Sequence, residues 1–283
     1  MAQLWQCGRF SLDFQQTKIM GILNCTPDSF SDGGRFFAPD DALAHAMQMI
    51  ADGAEIIDVG AESTRPGSVA IDVKEEIRRL TPVVTELVAD GRCVVSVDTK
   101  NAATMRAMLD LGVDLINDVH GLEDPDAVDA VKESRCGICL MHMRGMPENM
   151  QEDTRYSDVV AEVDRYLQER VDVCRAAGIA DNRLMLDPGF GFGKTPEQNM
   201  QLFLQGRNYA AAKYPVLLGV SRKSTIGHYL GGRPVNDRLI GSVTLAAWAA
   251  WHDVAVVRVH DVRETRDALL MVEALKKIEK DHK

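Results

Sequence analysis

Val216-Leu217-Leu218-Gly219-Val220-Ser221-Arg222-Lys223-Ser224 runs from five apolar or small residues straight into a hydroxyl, two cations and a second hydroxyl. A strand buried on both faces reads as a continuous apolar run, so the polar tetrad marks its carboxyl end. The same shape recurs in Ile56-Ile57-Asp58, Val94-Val95-Ser96-Val97-Asp98, Leu115-Ile116-Asn117-Asp118, Leu140-Met141-His142, Leu184-Met185-Leu186-Asp187 and Val256-Val257-Arg258-Val259-His260. Strands that repeatedly finish in chemically capable residues describe a parallel sheet whose carboxyl rim is the active site.

Working outward, the pattern predicts a hairpin over residues 4–14, turning at Gly8-Arg9 and plugging the bottom of a barrel. Strands are expected at 18–24, 55–60, 93–99, 115–118, 137–142, 184–187, 216–221 and 254–260. Helices are expected after Asp40 as N-cap, over 74–89, after Asn101, over 157–177 with Gly178 beyond its end, and from Val262 onward. Eight strands alternating with helices point to an α/β fold, a single (β/α)8 TIM barrel with a short N-terminal β-hairpin. Gly and Pro are spread along the 283 residues without a linker, so one domain covers 1–283. A hydrophobic content of 46% is ample for that core.

The formal net charge of -10 argues against general binding of nucleic acid or an anionic membrane, although the rim itself is rich in Arg and Lys and suits a small anion. Apolar stretches are interrupted well short of a membrane span, and the N-terminus lacks a signal pattern, so a soluble cytoplasmic protein is expected. The six cysteines are scattered, mostly within apolar runs, where a reduced thiol acts as a small hydrophobe. Cys136-Gly137-Ile138-Cys139 has redox spacing, but its second Cys falls inside a strand rather than at a helix N-terminus, which favours packing.

Gly189-Phe190-Gly191-Phe192-Gly193-Lys194-Thr195 resembles the end of a phosphate loop, yet Pro188 stands where the first Gly is required. It reads as a Gly-rich turn into a helix. His142 and His260 have no carboxylate or His partner at helical spacing, which argues against protein-ligated zinc.

Asn24-Cys25-Thr26-Pro27-Asp28-Ser29-Phe30-Ser31-Asp32-Gly33-Gly34, Glu62-Ser63-Thr64-Arg65-Pro66-Gly67, the Asp187-to-Lys194 run, Ser221-Arg222-Lys223-Ser224 and Arg258-Val259-His260-Asp261 together resemble the dihydropteroate synthases of bacterial folate biosynthesis, in the pterin-binding TIM-barrel family. The resemblance runs from the first strand to the eighth. Cys25 and Ala61 depart from it, standing where an aliphatic residue and a Gly are usual.

The resemblance implies condensation of 6-hydroxymethyl-7,8-dihydropterin diphosphate with p-aminobenzoate, giving 7,8-dihydropteroate and diphosphate, in a homodimer that sulfonamides target. It also implies roles. Asp187 and Asn117 hold the amino and ring N–H edge of the pterin, and Lys223 reaches its carbonyl side. Asp98 stabilises positive charge as the methylene–oxygen bond breaks, while Val119, Met141, Phe190 and Gly219 complete the ring's surroundings. Asn24, Arg65, Arg258 and His260 take the diphosphate, with Asn24 also a ligand of Mg2+. Phe30, Thr64, Arg65, Pro66 and Ser221 form the p-aminobenzoate pocket, and Asp32 accepts a proton from the attacking amine. The catalytic set is thus Asp98, Lys223, Asp32 and Arg65, two of them on loops that close over the site.

A methyltetrahydrofolate-dependent methyltransferase would share the Asp and Asn grip on a pterin, but has no use for Ser221-Arg222-Lys223 or a diphosphate cluster. A non-catalytic pterin-binding scaffold would have no need of Lys223, Arg258 and the first loop, all of which are present.

Overall fold

The computed structural model describes residues 4–25, 39–61, 71–145, 150, 152–206, 208–209 and 213–282. A short antiparallel pair, β1 (Trp5–Cys7) and β2 (Phe10–Leu12), comes first. Eight parallel strands follow: β3 (Lys18–Asn24), β4 (Ile56–Gly60), β5 (Val94–Asp98), β6 (Leu115–Asp118), β7 (Gly137–Met141), β8 (Leu184–Asp187), β9 (Leu217–Leu218) and β10 (Val256–Val259). They are ordered β8-β7-β6-β5-β4-β3-β10-β9. A parallel bridge between Leu186 and Val216, with Leu186 N–H donating to the Pro215 carbonyl at 3.0 Å, brings the two ends of the sheet together into a nearly closed barrel.

The described helices are α1 (Pro39–Ala51), α2 (Val73–Asp90), α3 (Ala102–Asp110), α4 (Pro125–Val131), α5 (Val159–Ala176), α6 (Pro196–Gln205), α7 (Ser224–Tyr229), α8 (Leu239–Trp251) and α9 (Val262–Asp281). The N-cap expectation at Asp40 needs correction: α1 already includes Pro39, and Asp40 and Asp41 lie in its first turn, where carboxylates complement the helix dipole. The short α4, capped by Asp124 with Pro125 at its first position, and α7 have too few turns to show a 3.6-residue period in the sequence. No helix of the described residues is long and apolar enough to cross a membrane.

Side-chain alternation divides each strand between two cores. Ile57, Val59, Val95, Val97, Ile116 and Leu186 face outward into the layer beneath the helices. Met20, Ile56, Val94, Leu115, Met185, Leu217 and Val256 face inward and fill the barrel's lower end, where Trp5 and Cys7 of the hairpin close it. Arg9 clamps that hairpin through Nε and Nη2 to Asp114 at 2.9 and 2.8 Å, and Asp114 also accepts the Val95 N–H at 3.0 Å. All six cysteines are buried and free. Burial pushes the Cys25 and Cys93 thiols up to about 12, far from thiolate chemistry.

Candidate active site

Two residues above the apolar floor, the same inward faces turn polar. Stepping from Ile56, Val94, Leu115, Met185 and Val256 gives Asp58, Ser96, Asn117, Asp187 and Arg258, and a further step reaches Asp98, Val119 and His260. Asn24 and Ser221 lie at the same rim. The cleft above them, of about 370 Å³, is lined by Ile22, Asn24, Met150, Gly191, Phe192, Gly219, Ser221, Arg222, Lys223, Arg258 and His260, among others.

Arg258 is the hub. Its Nε donates to Asp58 Oδ2 at 2.6 Å and its Nη2 to Asp98 Oδ2 at 2.9 Å, bridging two carboxylates from neighbouring strands. Asp58 also accepts from Ser96 Oγ at 2.5 Å and from Asn117 Nδ2 at 3.1 Å. Burial raises the Asp98 carboxyl above its ordinary range, and the Arg258 charge offsets part of that rise. Asp187, raised likewise by burial, receives the Gly189 N–H at 2.7 Å, and the charge of Lys223 is the largest influence opposing that rise.

The segment that presents Lys223 is built with care. Arg222 sits at φ 59, a left-handed conformation unusual for a side chain of this size. Its guanidinium pairs with Asp261, with Nε to Oδ2 at 2.9 Å, and its N–H donates to Ser242 Oγ at 2.9 Å. The kink points Lys223 across the cleft, where Nζ donates to the Phe190 carbonyl and lies 4.4 Å from the centre of the Phe192 ring. Desolvation lowers its ammonium to about 8, with Asp187 opposing the shift. Beside it, Ser221 Oγ lies 3.0 Å from His260 Nδ1.

The Gly-rich turn facing Lys223 is held from within. Lys194, buried, donates to the carbonyls of Gly189 and Phe192, each at 2.9 Å, and desolvation drives its ammonium well below the ordinary value. Gly189 has φ +70, and a Cβ there would lie 1.8 Å from the His142 carbonyl oxygen; at Gly191 a Cβ would meet Lys223 Cδ at 2.8 Å. The second contact makes Gly191 part of the site rather than only a tight connection.

The structure therefore gathers Asn24, Asp98, Asn117, Val119, Met141, Asp187, Gly219, Ser221, Lys223, Arg258 and His260 at one rim. Phe190 is more deeply set than a wall of the cleft would be: its ring is buried in the outer core against Phe203, with centroids 6.2 Å apart, while its carbonyl accepts from Lys223 Nζ and its ring centre lies 6.0 Å from that ammonium. The aromatic wall is Phe192, clustered with Val119, Met141, Met143 and Met150. His142, although at a strand end, also turns outward, edge-on to Tyr166 with centroids 4.9 Å apart, and burial depresses its imidazole to about 2. Phe30, Asp32, Thr64, Arg65 and Pro66, with their two loops, lie outside the described residues.

Asp58 is read in the sequence as the polar end of its run but is given no role, and the structure places it two residues before the end of β4. Its signal was there: a carboxylate inside Ile56-Ile57-Asp58-Val59-Gly60 requires buried donors. The alternation of Phe190 and Phe192 gives no such signal, because the turn between them is not a strand.

Known proteins match this arrangement along nearly the whole chain. The pterin binding enzyme family matches residues 20–260. Dihydropteroate synthase of Escherichia coli (strain K12) is 46% identical over 264 residues, covering 93% of each chain. Among solved structures, Yersinia pestis dihydropteroate synthase in a sulfonamide drug complex superposes with a TM-score of 0.91 at 43% identity, covering 97% of this chain and 99% of that one. Burkholderia cenocepacia dihydropteroate synthase complexed with 7,8-dihydropteroate gives 0.88 at 41% identity, covering 98% of each. With the polar inner layer of its barrel set beside these relatives, the chain belongs to the pterin binding enzymes and, within them, to the dihydropteroate synthases.

Proposed function

We propose that the inner layer of the barrel performs the dihydropteroate synthase reaction with each residue in a distinct role. The chain is a transferase of folate biosynthesis and a sulfonamide target: it joins 6-hydroxymethyl-7,8-dihydropterin diphosphate to p-aminobenzoate. The observation that carries the assignment of roles is the meeting of carboxylates and cations at one end of the barrel, with Arg258 bridging Asp58 and Asp98 beneath a cleft lined by Lys223, Arg258 and His260.

Asp187 and Asn117 accept from the amino and N–H edge of the pterin, Lys223 donates to its carbonyl side, and Phe192, Met141 and Val119 border its faces. Lys223 exchanges its bond to the Phe190 carbonyl for one to the substrate. The amine nitrogen of p-aminobenzoate then forms its bond to the pterin methylene as the methylene–oxygen bond breaks and diphosphate leaves with the electron pair. Asp98, close to the ring, stabilises positive charge developing there, and the amine gives up a proton for which Asp32 is the proposed acceptor. Arg258, His260 and Arg65 receive the leaving group. Phe30, Thr64, Arg65, Pro66 and Ser221 are assigned to the p-aminobenzoate pocket.

Asn24 offers a single oxygen donor among cations at the rim. That fits Mg2+, which keeps several waters and binds through few protein ligands together with phosphate oxygens. When bound it would neutralise diphosphate charge. The reading also carries a cytoplasmic homodimer, for which the exposed Tyr229 and Ile240 near an apolar groove between α7 and α8 supply a suitable surface.

Turnover with Lys223→Ala tests the assignment. Melting temperature should stay nearly constant, while diphosphate release from the two substrates falls severely. Activity within about tenfold of the parent, ~1.4 kcal/mol of transition-state stabilisation, would remove Lys223 from the catalytic set.

A further inference from the structure

Asp58 is itself assigned no contact with substrate, yet it holds two groups that are, Asn117 and Arg258. It lies on β4 and is wholly buried. One carboxylate oxygen, Oδ1, is fixed by Ser96 Oγ at 2.5 Å; the other, Oδ2, is shared by Asn117 Nδ2 at 3.1 Å and Arg258 Nε at 2.6 Å. With both oxygens held, the carboxylate cannot turn.

An Asn side chain is nearly symmetric in shape and opposite in chemistry at its two ends, so the group it faces decides which end goes where. A carboxylate accepts and does not donate. Asn117 therefore turns Nδ2 toward Asp58 and its carbonyl oxygen away, and among the described residues its side-chain amide makes no other hydrogen bond. We propose that Asp58 is a positioning residue for ring selection: by holding Asn117 in one flip state it offers the heterocycle an acceptor, so the site selects a ring bearing an N–H donor on that edge. The proposal rests on the assignment of Asn117 to the pterin amino edge. In its absence an amide free to flip would accommodate a donor or an acceptor.

The test is a ratio rather than an affinity. Two unreactive probes are titrated by calorimetry: a 2-amino-4-oxopteridine, and the 2,4-dioxo analogue that carries a carbonyl in place of the amino group. A site built around a buried hydrogen bond rejects the wrong partner strongly, so the parent chain should favour the amino probe by at least about 100-fold. Asp58→Asn keeps the shape but can donate to Asn117, permitting the flip, and should reduce that preference by about tenfold or more. Equal weakening of both probes, with the preference intact, would make Asp58 merely structural and overturn the proposal. Where Asp58→Asn fails to fold, Ser96→Ala releases Oδ1 alone and should lower the preference by about threefold; an unchanged ratio there overturns it equally. A parent chain that binds neither probe would fail at the earlier step, the assignment of the pterin itself.

Discussion

Arg258 of β10 and Asp98 of β5 are ion-paired across the barrel interior, Nη2 to Oδ2 at 2.9 Å, although β3 and β4 separate their strands in the sheet. On β4, Gly60 is the register partner of Asp98 and has no side chain to obstruct the approach of the guanidinium. Asp58, on the same guanidinium, makes the cluster two carboxylates and one cation.

Arg258→Ala should accordingly be far more damaging than a surface charge deletion. It leaves two carboxylates facing each other in a desolvated layer, and removing one member of a buried ion pair typically costs about 3–5 kcal/mol. Denaturant unfolding should show that loss. Arg258→Lys, a point charge without the planar fork, should recover only part of it, since one ammonium cannot match the geometry that holds both acids.

Lys223 gives a pH dependence whose sign differs between binding and stability. Its ammonium, lowered by desolvation to about 8, is the proposed donor to the pterin carbonyl, so pterin affinity should fall as pH rises through about 8. Between that value and the ordinary Lys value of roughly 10.4, the unfolded chain retains a proton the native chain has lost, so this residue makes stability rise with pH. Titrations of an unreactive pterin from pH 6 to pH 10, alongside Lys223→Ala, check the first claim; an alkaline limb that survives the substitution belongs to another group.

The barrel was legible because β3, β4, β5 and β10 each carry enough consecutive β-branched or aliphatic residues to stand out from the helices between them. The site was legible for the same reason inverted: Asp98, Asn117, Asp187 and Ser221 break apolar runs near a carboxyl end. What the sequence hid was direction. His142 and Phe190 sit in the right segments and turn outward, whereas Phe192 turns in, and only the backbone of a turn with three left-handed glycines decides which. Asp58 was visible as an acid in an apolar run, but not its partners: that Ser96, Asn117 and Arg258 converge on it depends on three other strands.

Gly189→Ala tests whether that turn tolerates any side chain. Strain from φ +70 alone costs about 1–2 kcal/mol for an L residue, but the larger effect is steric: the new methyl would lie 1.8 Å from the His142 carbonyl oxygen, a backbone atom that cannot rotate aside. The expected result is a variant recovered in low yield or markedly destabilised, with Lys194 losing its alignment to the Gly189 carbonyl. A folded variant of parental melting temperature would mean that β7 and the turn can separate.

Phe190 and Phe192 offer the sharpest separation of folding from chemistry, being two residues apart with identical side chains. Phe190 is buried with Phe203 in the outer core, so Phe190→Ala should cost about 3–5 kcal/mol in unfolding free energy through lost burial and the cavity left behind. The substitution retains its carbonyl, the acceptor of Lys223 Nζ, and removes a ring whose centre lies 6.0 Å from that ammonium, farther than the 4.4 Å of Phe192. Well below the midpoint of its own thermal transition, the variant should keep near-parental pterin affinity. Phe192 borders the cleft, 4.4 Å from Lys223 Nζ, in an arrangement where the ring face attracts the ammonium as well as covering the substrate. Phe192→Leu retains much of the apolar volume against Met141 and Met150 but loses the π face, so stability should change by less than about 1.5 kcal/mol while pterin affinity falls roughly tenfold. Chemical denaturation and calorimetry on both variants decide it: reversal of the two profiles, with Phe190→Ala the poorer binder and Phe192→Leu the less stable, would return Phe190 to the wall of the site.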